Sequence, residues 1–501
     1  MKAKGEARKH VGALDLGTTG VRFVIFDGEA REAAAAYREL PLSYPRPGWV
    51  EQDPQLMVTL SLEVLQEALG EAGLRAGDLA AIGITNQRET VAVWDRETGE
   101  SLAPAIVWQD RRTAARCREL SRAGLEAKIH EITGLSLDPY FSATKLEWLL
   151  QNIPDLRARA RAGEICVGTV DSWLLFRLGG VHATDHTNAS RTMLFDIHRL
   201  SWSGELLELF SIPPGCLPEV RPSLSVFGRT KRDLLGAEVP LAGVLGDQQA
   251  ALLGQGCLSP GEGKVTWGTG AFLLVNTGDR PLGSRHRLLT TVAYTTPGEV
   301  RYALEGSVFI AGAAIQWLRD LGIIAAAAET EALAKELPGN EGVYFVPALT
   351  GLGAPHWDPY ARGAILGLTR GTTRAHLARA ALEAIAYQTH DLVRALEADS
   401  ERALSELKVD GGAARNDFLC QFQADLLGIP VQRPQVLETT ALGAALAAGA
   451  SVGLWELADI PSLVRPERTF QPRMSPAERE RLLSGWRKAL ERAKGWAEEE
   501  G

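Results

Sequence analysis

Four short segments carry residue types able to do chemistry. In D-L-G-T-T-G, Asp15 to Gly20, a carboxylate stands beside a Gly/Thr turn. Such a carboxylate can hold a hydrated Mg²⁺, and the turn's N–H groups and hydroxyls can meet phosphate oxygens. Arg22 follows closely enough to add positive charge, although an ordinary hairpin tip has the same composition. In V-D-G-G-A-A-R-N, Val409 to Asn416, a strand runs through two glycines into a helix. A Gly-Gly turn lets a flat ring lie against backbone, and a helix N-terminus suits an anion; a plain strand-to-helix turn reads the same way. In G-D-Q-Q-A-A, Gly246 to Ala251, Asp247 follows the apolar run Leu241 to Leu245. That places a carboxylate at the C-terminal end of a strand, where α/β enzymes put catalytic groups, though a lone Asp there also serves as a helix cap. In G-I-T-N-Q-R-E-T, Gly83 to Thr90, the adjacent charges Arg88 and Glu89 close another apolar strand. One donates to hydroxyl oxygens and the other accepts hydroxyl protons, which suits a polyol because each OH does both. On a surface the same two residues are a common ion pair.

Other phosphate-binding signatures are missing. Gly263-Lys264-Val265 lacks the upstream glycine and the hydroxyl residue of a P-loop. No G-x-G-x-x-G precedes a helix, and the H-R-D and D-F-G pairs of protein kinases do not occur.

The elements that must position these groups can be read in outline. Strands are predicted at Val11–Leu14 and Val21–Phe26, with Gly17 and Gly20 supplying backbone freedom between them. Val265–Trp267, the turn Gly268 to Gly270, and Ala271–Val275 repeat the pattern half a chain later. Two such β–loop–β units suggest two domains on one plan, joined at the turn-rich Gly254–Gly263. Helical spacing marks Thr373–Glu397, and Asn416–Leu427 reads as a helix closed by Gly428. Ser475-Pro476-Ala477-Glu478 matches a capping box; the charged helix behind it reads as a solvated face.

Bulk properties bound the answer. A chain of 501 residues suits two large domains, and 45% apolar with 23% charged residues is ordinary for a globular enzyme. A net charge of −9 argues against a general nucleic-acid binder. The five cysteines are scattered and odd in number, which fits a reducing cytoplasm better than a disulfide scaffold or zinc site. The start, Met1 to His10, is basic, but the apolar stretch after it meets Asp15 too soon for a signal peptide. Ala441–Trp455 is too short and Gly-rich to span a bilayer, so no integral membrane segment is expected.

Together with YPRPGWVEQDP, AIVWQDRRTA, TGLSLDPYFSATK, TDHTNASRTMLFDIH, WGTGAF, ALEGSVFIAGAAIQWLRD and FVPALTGLGAPHWDPYARGAILGLTRG, these segments resemble the glycerol kinases of the FGGY carbohydrate kinase family, from about Val11 to about Trp496. The resemblance implies an α/β protein of the actin-like ATPase fold, two ribonuclease-H-like domains around a central cleft. It assigns residues 1–256 to an N-terminal domain with the polyol site and phosphate loop, and residues 257–501 to a nucleotide-binding C-terminal domain. Arg88, Glu89, Tyr140, Asp247 and Gln248 resemble residues that bind glycerol hydroxyls, with Trp108 and Phe272 as apolar walls. Thr18, Thr19, Gly20, Arg22, Thr269, Gly312, Gln316, Gly412 and Asn416 resemble nucleotide contacts. Asp15, with Asp247, resembles the Mg²⁺ carboxylates, and Asp247 the general base. Leu16 stands where these kinases usually carry Gln, and Gly20 where Ser is frequent.

The activity so implied is ATP-dependent phosphorylation of glycerol to sn-glycerol 3-phosphate, in a cytoplasmic homo-oligomer, dimer or tetramer. The alternative is a kinase of another small polyol or ketose on the same fold; Trp108 and Phe272 would leave little room beyond three carbons. An actin-like or chaperone-like ATPase would have no use for Arg88-Glu89 and Asp247-Gln248.

Overall fold

The structure is a computed structural model that describes residues 9–497; most of the basic start lies outside the described residues. Its first large sheet begins with β1 (His10–Leu16), β2 (Gly20–Phe26) and β3 (Glu32–Glu39), an antiparallel meander. β4 (Leu79–Asn86) then pairs parallel to β1, and β6 (Pro240–Gly246) parallel to β4, with β5 (Val226–Arg229) antiparallel at the edge. The sheet order is therefore β3-β2-β1-β4-β6-β5. Helix α1 (Pro54–Ala72), capped by Asp53, covers β2 and β3. β1, β4 and β6 are buried on both faces, which explains why their sequences are near-continuous apolar runs without alternation.

The second half repeats the plan. β7 (Gly263–Trp267), β8 (Ala271–Gly278) and β10 (Glu299–Val308) form the antiparallel part, extended at the edge by β9 (Leu289–Thr296). β11 (Leu407–Asp410) pairs parallel to β7 and β12 (Val431–Pro434) parallel to β11, with β13 (Pro466–Phe470) antiparallel beyond it. Strand roles and directions match the first sheet, so both halves are ribonuclease-H-like units of the actin-like ATPase fold.

A smaller sheet orders Glu51–Gln52, Ala105–Ile106, Val91–Asp95 and Ile165–Thr169, beside helix α2 (Ser142–Asn152). Trp108 follows the strand Ala105–Ile106, and Tyr140 stands just before α2. After β6 come α3 (Asp247–Gly254), then α4 (Gly312–Asp320), α5 (Arg374–Ser400), α6 (Asp417–Leu427), α7 (Thr439–Ser451) and α8 (Pro476–Ala493).

Three local readings change. Neither Gly17 nor Gly20 has a positive φ. A Cβ on Gly20 would lie 2.3 Å from the outer ring atoms of Tyr37, an exposed side chain with room to turn aside. The charged helix α8 is not simply a solvated face: Ser475 caps it as expected, but Leu482, Leu483, Trp486, Ala489, Leu490 and Ala493 are buried. Trp486 stacks on Tyr387 of α5 at 5.1 Å and donates to Asp391 at 2.8 Å. Third, α7 belongs by sequence to the second half yet packs on β1, β4, β6 and α3 of the first. Gly83 and Gly243 permit it, because a Cβ on either would lie 2.1–2.3 Å from α7 backbone at Ala444 and Ala448.

Among the described residues no helix is long and apolar enough to cross a membrane. All five cysteines are free and buried.

Candidate functional site

Two regions assemble the chemistry-bearing residues. The first lies where the C-terminal ends of β4 and β6 meet β10 of the other half. β4 ends at Asn86, so Arg88 and Glu89 follow directly; β6 ends at Gly246, so Asp247 opens α3. Arg88 is 2% exposed and almost fully engaged. Its Nη1 and Nη2 donate to the two carboxylate oxygens of Glu305 at 2.6 and 2.9 Å, Nη1 also reaches Gln249 at 3.2 Å, and Nε lies 3.1 Å from Asp247 Oδ1. One Nη2 hydrogen is left for a ligand. Arg88 is thus less an open donor than a strut holding Asp247.

Arg191, beside the short helix His186–Ala189, completes a buried quartet. It donates to Glu89 at 2.8 Å and to Glu305 at 3.1 Å. Burial pulls the Arg88 guanidinium down, but Glu305 and Glu89 outweigh it and keep it protonated. Burial pushes the Glu305 carboxyl up, and Arg191 with Arg88 reverses this and holds it at about 2. Sequence reasoning missed Glu305, Arg191, Gln249 and Lys264. Glu305 and Lys264 carried a signal: each is a lone charge within a run of uncharged residues, Tyr302 to Val308 and Gly263 to Trp267, and such a charge is seldom buried unless paired.

Asp247 has its Oδ1 held by the Gln248 N–H at 2.7 Å and by Arg88. Its side chain is 29% exposed, and Oδ2 has no partner among the described residues. Burial raises its carboxyl, with Arg88 opposing and Glu89 adding. Gln248, the next residue, accepts from Lys264 at 2.6 Å. Trp108 and Tyr140 pack edge to face at 5.4 Å and form one wall. Phe272 stands on β8 opposite Thr266, partly buried.

The β1–β2 hairpin tip joins this region through Thr18. The Trp108 indole donates to Thr18 Oγ1 at 2.8 Å, Gln52 donates to the Thr18 carbonyl at 2.7 Å, and Gln87 braces Gln52 at 2.8 Å. Thr19 is exposed beside Gly20. Asp15 and Arg22 are cross-strand partners. Burial pushes the Asp15 carboxyl up to about 7, with Arg22 opposing and Asp247 adding. Arg22 is not free for an anion as it stands: its guanidinium is ion-paired to Glu438, at the start of α7, and lies over the Tyr37 ring.

The second region is a cleft of about 580 Å³ in the second half. Thr269, Gly312, Gln316, Gly412 and Asn416 all line it, with Ile315, Leu382 and Ala413 as apolar surface. Backbone bonds from Gly312 to the Gly268 carbonyl (2.9 Å) and from Ala311 to the Thr269 carbonyl (2.8 Å) tie the N-terminus of α4 to the β7–β8 turn. Gly411 has φ +85°, and a Cβ would lie 2.6 Å from the Trp267 carbonyl, so the β11 turn closes tightly on β7. Asn416 also caps α6, accepting from Leu419 N–H at 3.0 Å. The cleft lining does not include Thr18, Thr19, Gly20 or Arg22, which sit on the hairpin of the other half.

Residues 10–254 match the N-terminal domain, and residues 263–452 the C-terminal domain, of the FGGY family of carbohydrate kinases. A glycerol kinase of Thermus brockianus is 57% identical over 98% of this chain and 100% of its own length. Glycerol kinase 2 of Thermotoga maritima is 55% identical over 97% and 99%. A crystal structure of Plasmodium falciparum glycerol kinase with ADP superposes with a TM-score of 0.92 at 36% identity, covering 97% of this chain and 98% of that one. A xylulose kinase of Lactobacillus acidophilus shares the fold, with a TM-score of 0.87 at 23% identity over 97% and 99%. The chain belongs to the FGGY family of carbohydrate kinases.

Proposed function

We propose that the protein phosphorylates glycerol with ATP, giving sn-glycerol 3-phosphate and ADP. The observation that carries this reading is the state of Asp247: one carboxylate oxygen is pinned by Arg88 and Gln248, while the other has no protein partner among the described residues on a side chain that stays 29% exposed. A terminal glycerol hydroxyl would meet Asp247 Oδ2. As its oxygen bonds to the γ-phosphorus and the bond to ADP breaks, its proton passes to that oxygen. Glu89 would accept from a second hydroxyl, while the spare Arg88 hydrogen and Gln248 donate. Phosphoryl transfer is mostly positioning and electrostatics, which accords with the absence of any cysteine or histidine among these groups.

ATP would lie with its base in the cleft lined by Gly312, Gln316, Gly412 and Asn416, its phosphates reaching past Thr269 toward Thr18 and Thr19. Arg22 joins the phosphates by exchanging Glu438 for them. Mg²⁺ fits Asp15 and Asp247: both are hard oxygen donors near enough for one charge to raise the other, and among the described residues no third acid or histidine joins them. A cation that keeps most of its water suits so sparse a set, and it would offset phosphate charge. The work divides near residue 256, the first half supplying most of the polyol contacts and the phosphate hairpin and the second the cleft for the base. The free buried cysteines suit a reducing cytoplasm.

The test is a coupled ADP-release assay with glycerol, dihydroxyacetone, erythritol and xylulose. Glycerol should give the highest kcat/KM; better turnover of xylulose would overturn the assignment. Trp108→Phe adds a second check. It keeps an apolar wall but removes the N–H that holds Thr18, so kcat should fall roughly three- to tenfold, the worth of one neutral hydrogen bond. Unchanged kinetics would show that the wall and the hairpin act independently.

A further inference from the structure

Lys264, which belongs to no phosphate-binding signature in the sequence, lies directly beneath the polyol region. It is fully buried on β7. Its Nζ donates to Gln248 Oε1 at 2.6 Å and to Thr266 Oγ1 at 2.8 Å. Asp247 and Asp410 are near enough to support its charge against burial, which otherwise lowers it. A buried ammonium is costly to keep, so its placement against a side chain of the site calls for a reason.

The chemistry of the contact supplies one. A carboxamide can turn either its oxygen or its nitrogen toward a neighbour, and the two ends have nearly the same shape. An ammonium only donates. Lys264 therefore admits only the oxygen of Gln248, and Gln248 Nε2 must face the other way. That nitrogen has no protein acceptor among the described residues, and Gln248 remains 8% exposed. Beside it, Asp247 Oδ2 is a pure acceptor.

We propose that Lys264 is a positioning residue that locks Gln248 as a hydrogen-bond donor toward the polyol, so that neighbouring residues present one fixed acceptor and one fixed donor. This rests on the reading of the site as a glycerol pocket. The arrangement recognises a vicinal pair of oxygens, one giving its proton to Asp247 while its neighbour accepts from Gln248. Without Lys264 the inward amide oxygen would be buried unpaired, so it turns toward the cleft and the donating orientation becomes the minor one.

The experiment is a double-mutant cycle in the full-length enzyme with Lys264→Met, Gln248→Met and the pair. Glycerol KM, ATP KM and kcat are read for each, because the cycle isolates action through Gln248 from action elsewhere. Lys264→Met should raise glycerol KM roughly tenfold, as expected for a lost charge-supported hydrogen bond, and leave ATP KM unchanged. Gln248→Met should do the same, and the double variant should be no worse than the larger single. Additive rises would overturn the proposal, as would an unchanged glycerol KM in Lys264→Met; a general structural role would move both KM values together. Should Lys264→Met fail to fold, the double variant decides. Removing both partners of a buried bond is milder than removing one, and a glycerol KM above that of Gln248→Met would overturn the proposal. Wild-type enzyme that leaves glycerol untouched would instead strike the reading of the site, and this inference with it.

Discussion

Asp247→Asn should lower kcat by at least about 10²-fold, the usual loss on removing a general base, or about 3 kcal/mol of barrier. Asparagine keeps the size of the side chain and its acceptor toward the Gln248 N–H and Arg88 Nε, so the start of α3 and the Arg88 contact survive. What it cannot do is take the hydroxyl proton. Thermal stability and ATP binding should therefore stay near those of the parent while turnover collapses. A modest rise in glycerol KM is also expected, because Oδ2 accepts from the substrate hydroxyl. If Asp247 served only to start the helix, Asn would do nearly as well. A kcat loss below tenfold at saturating glycerol and ATP would end its role as base.

Glu305→Gln should destabilise the protein by about 3–5 kcal/mol, because removing one member of a buried charge set leaves the others uncompensated. Glu305 is 1% exposed and answers both Arg88 and Arg191. At about 2 °C per kcal/mol for a unit of this size, the thermal midpoint should fall by roughly 6–10 °C. Glycerol KM should rise as well, since Arg88 loses the bond that aims it at Asp247. The pH dependence follows from the direction of the shift. Glu305 titrates at about 2 in the folded protein against an ordinary 4.5, so its contribution is complete above 4.5 and fades as pH falls toward 2. The gap in stability between parent and variant should thus be full at neutral pH and close in acid. A midpoint unchanged at neutral pH would show that the quartet is not a structural keystone.

The parts of this site that were legible in sequence are those written in local pattern. The D-L-G-T-T-G turn lies between two strands, Asp247 at the end of a strand, and Val409–Asn416 at a strand-to-helix junction, each where the apolar runs placed it. Arg88 follows the end of β4 where the apolar run placed it, but its partners were not legible. Glu305 is 217 positions away, and only the β10–β4 meeting across the halves brings it near. Arg191 carries no periodic signal at all, sitting in a loop after a four-residue helix. Helix α8 misled because charged residues interleave an apolar stripe at helical spacing, and charge is the louder feature. Gly20 was read as backbone freedom, but its φ is not positive.

The seat of α7 decides how this chain can be divided. Residues from both halves, including Ala81, Ala242, Leu245, Leu274, Ala441 and Ala445, share one apolar cluster around it. A fragment ending at Gly256 would present β1, β4 and β6 with a bare apolar face, because the helix that covers it is made almost two hundred residues later. Neither repeat is then a module that can be excised or swapped intact. During synthesis the first half must wait, partly unsheathed, until the ribosome has delivered the helix that closes it. A separately expressed first half should precipitate alone and be recovered when the second half is co-expressed, so the two behave as complementing fragments rather than as beads on a string.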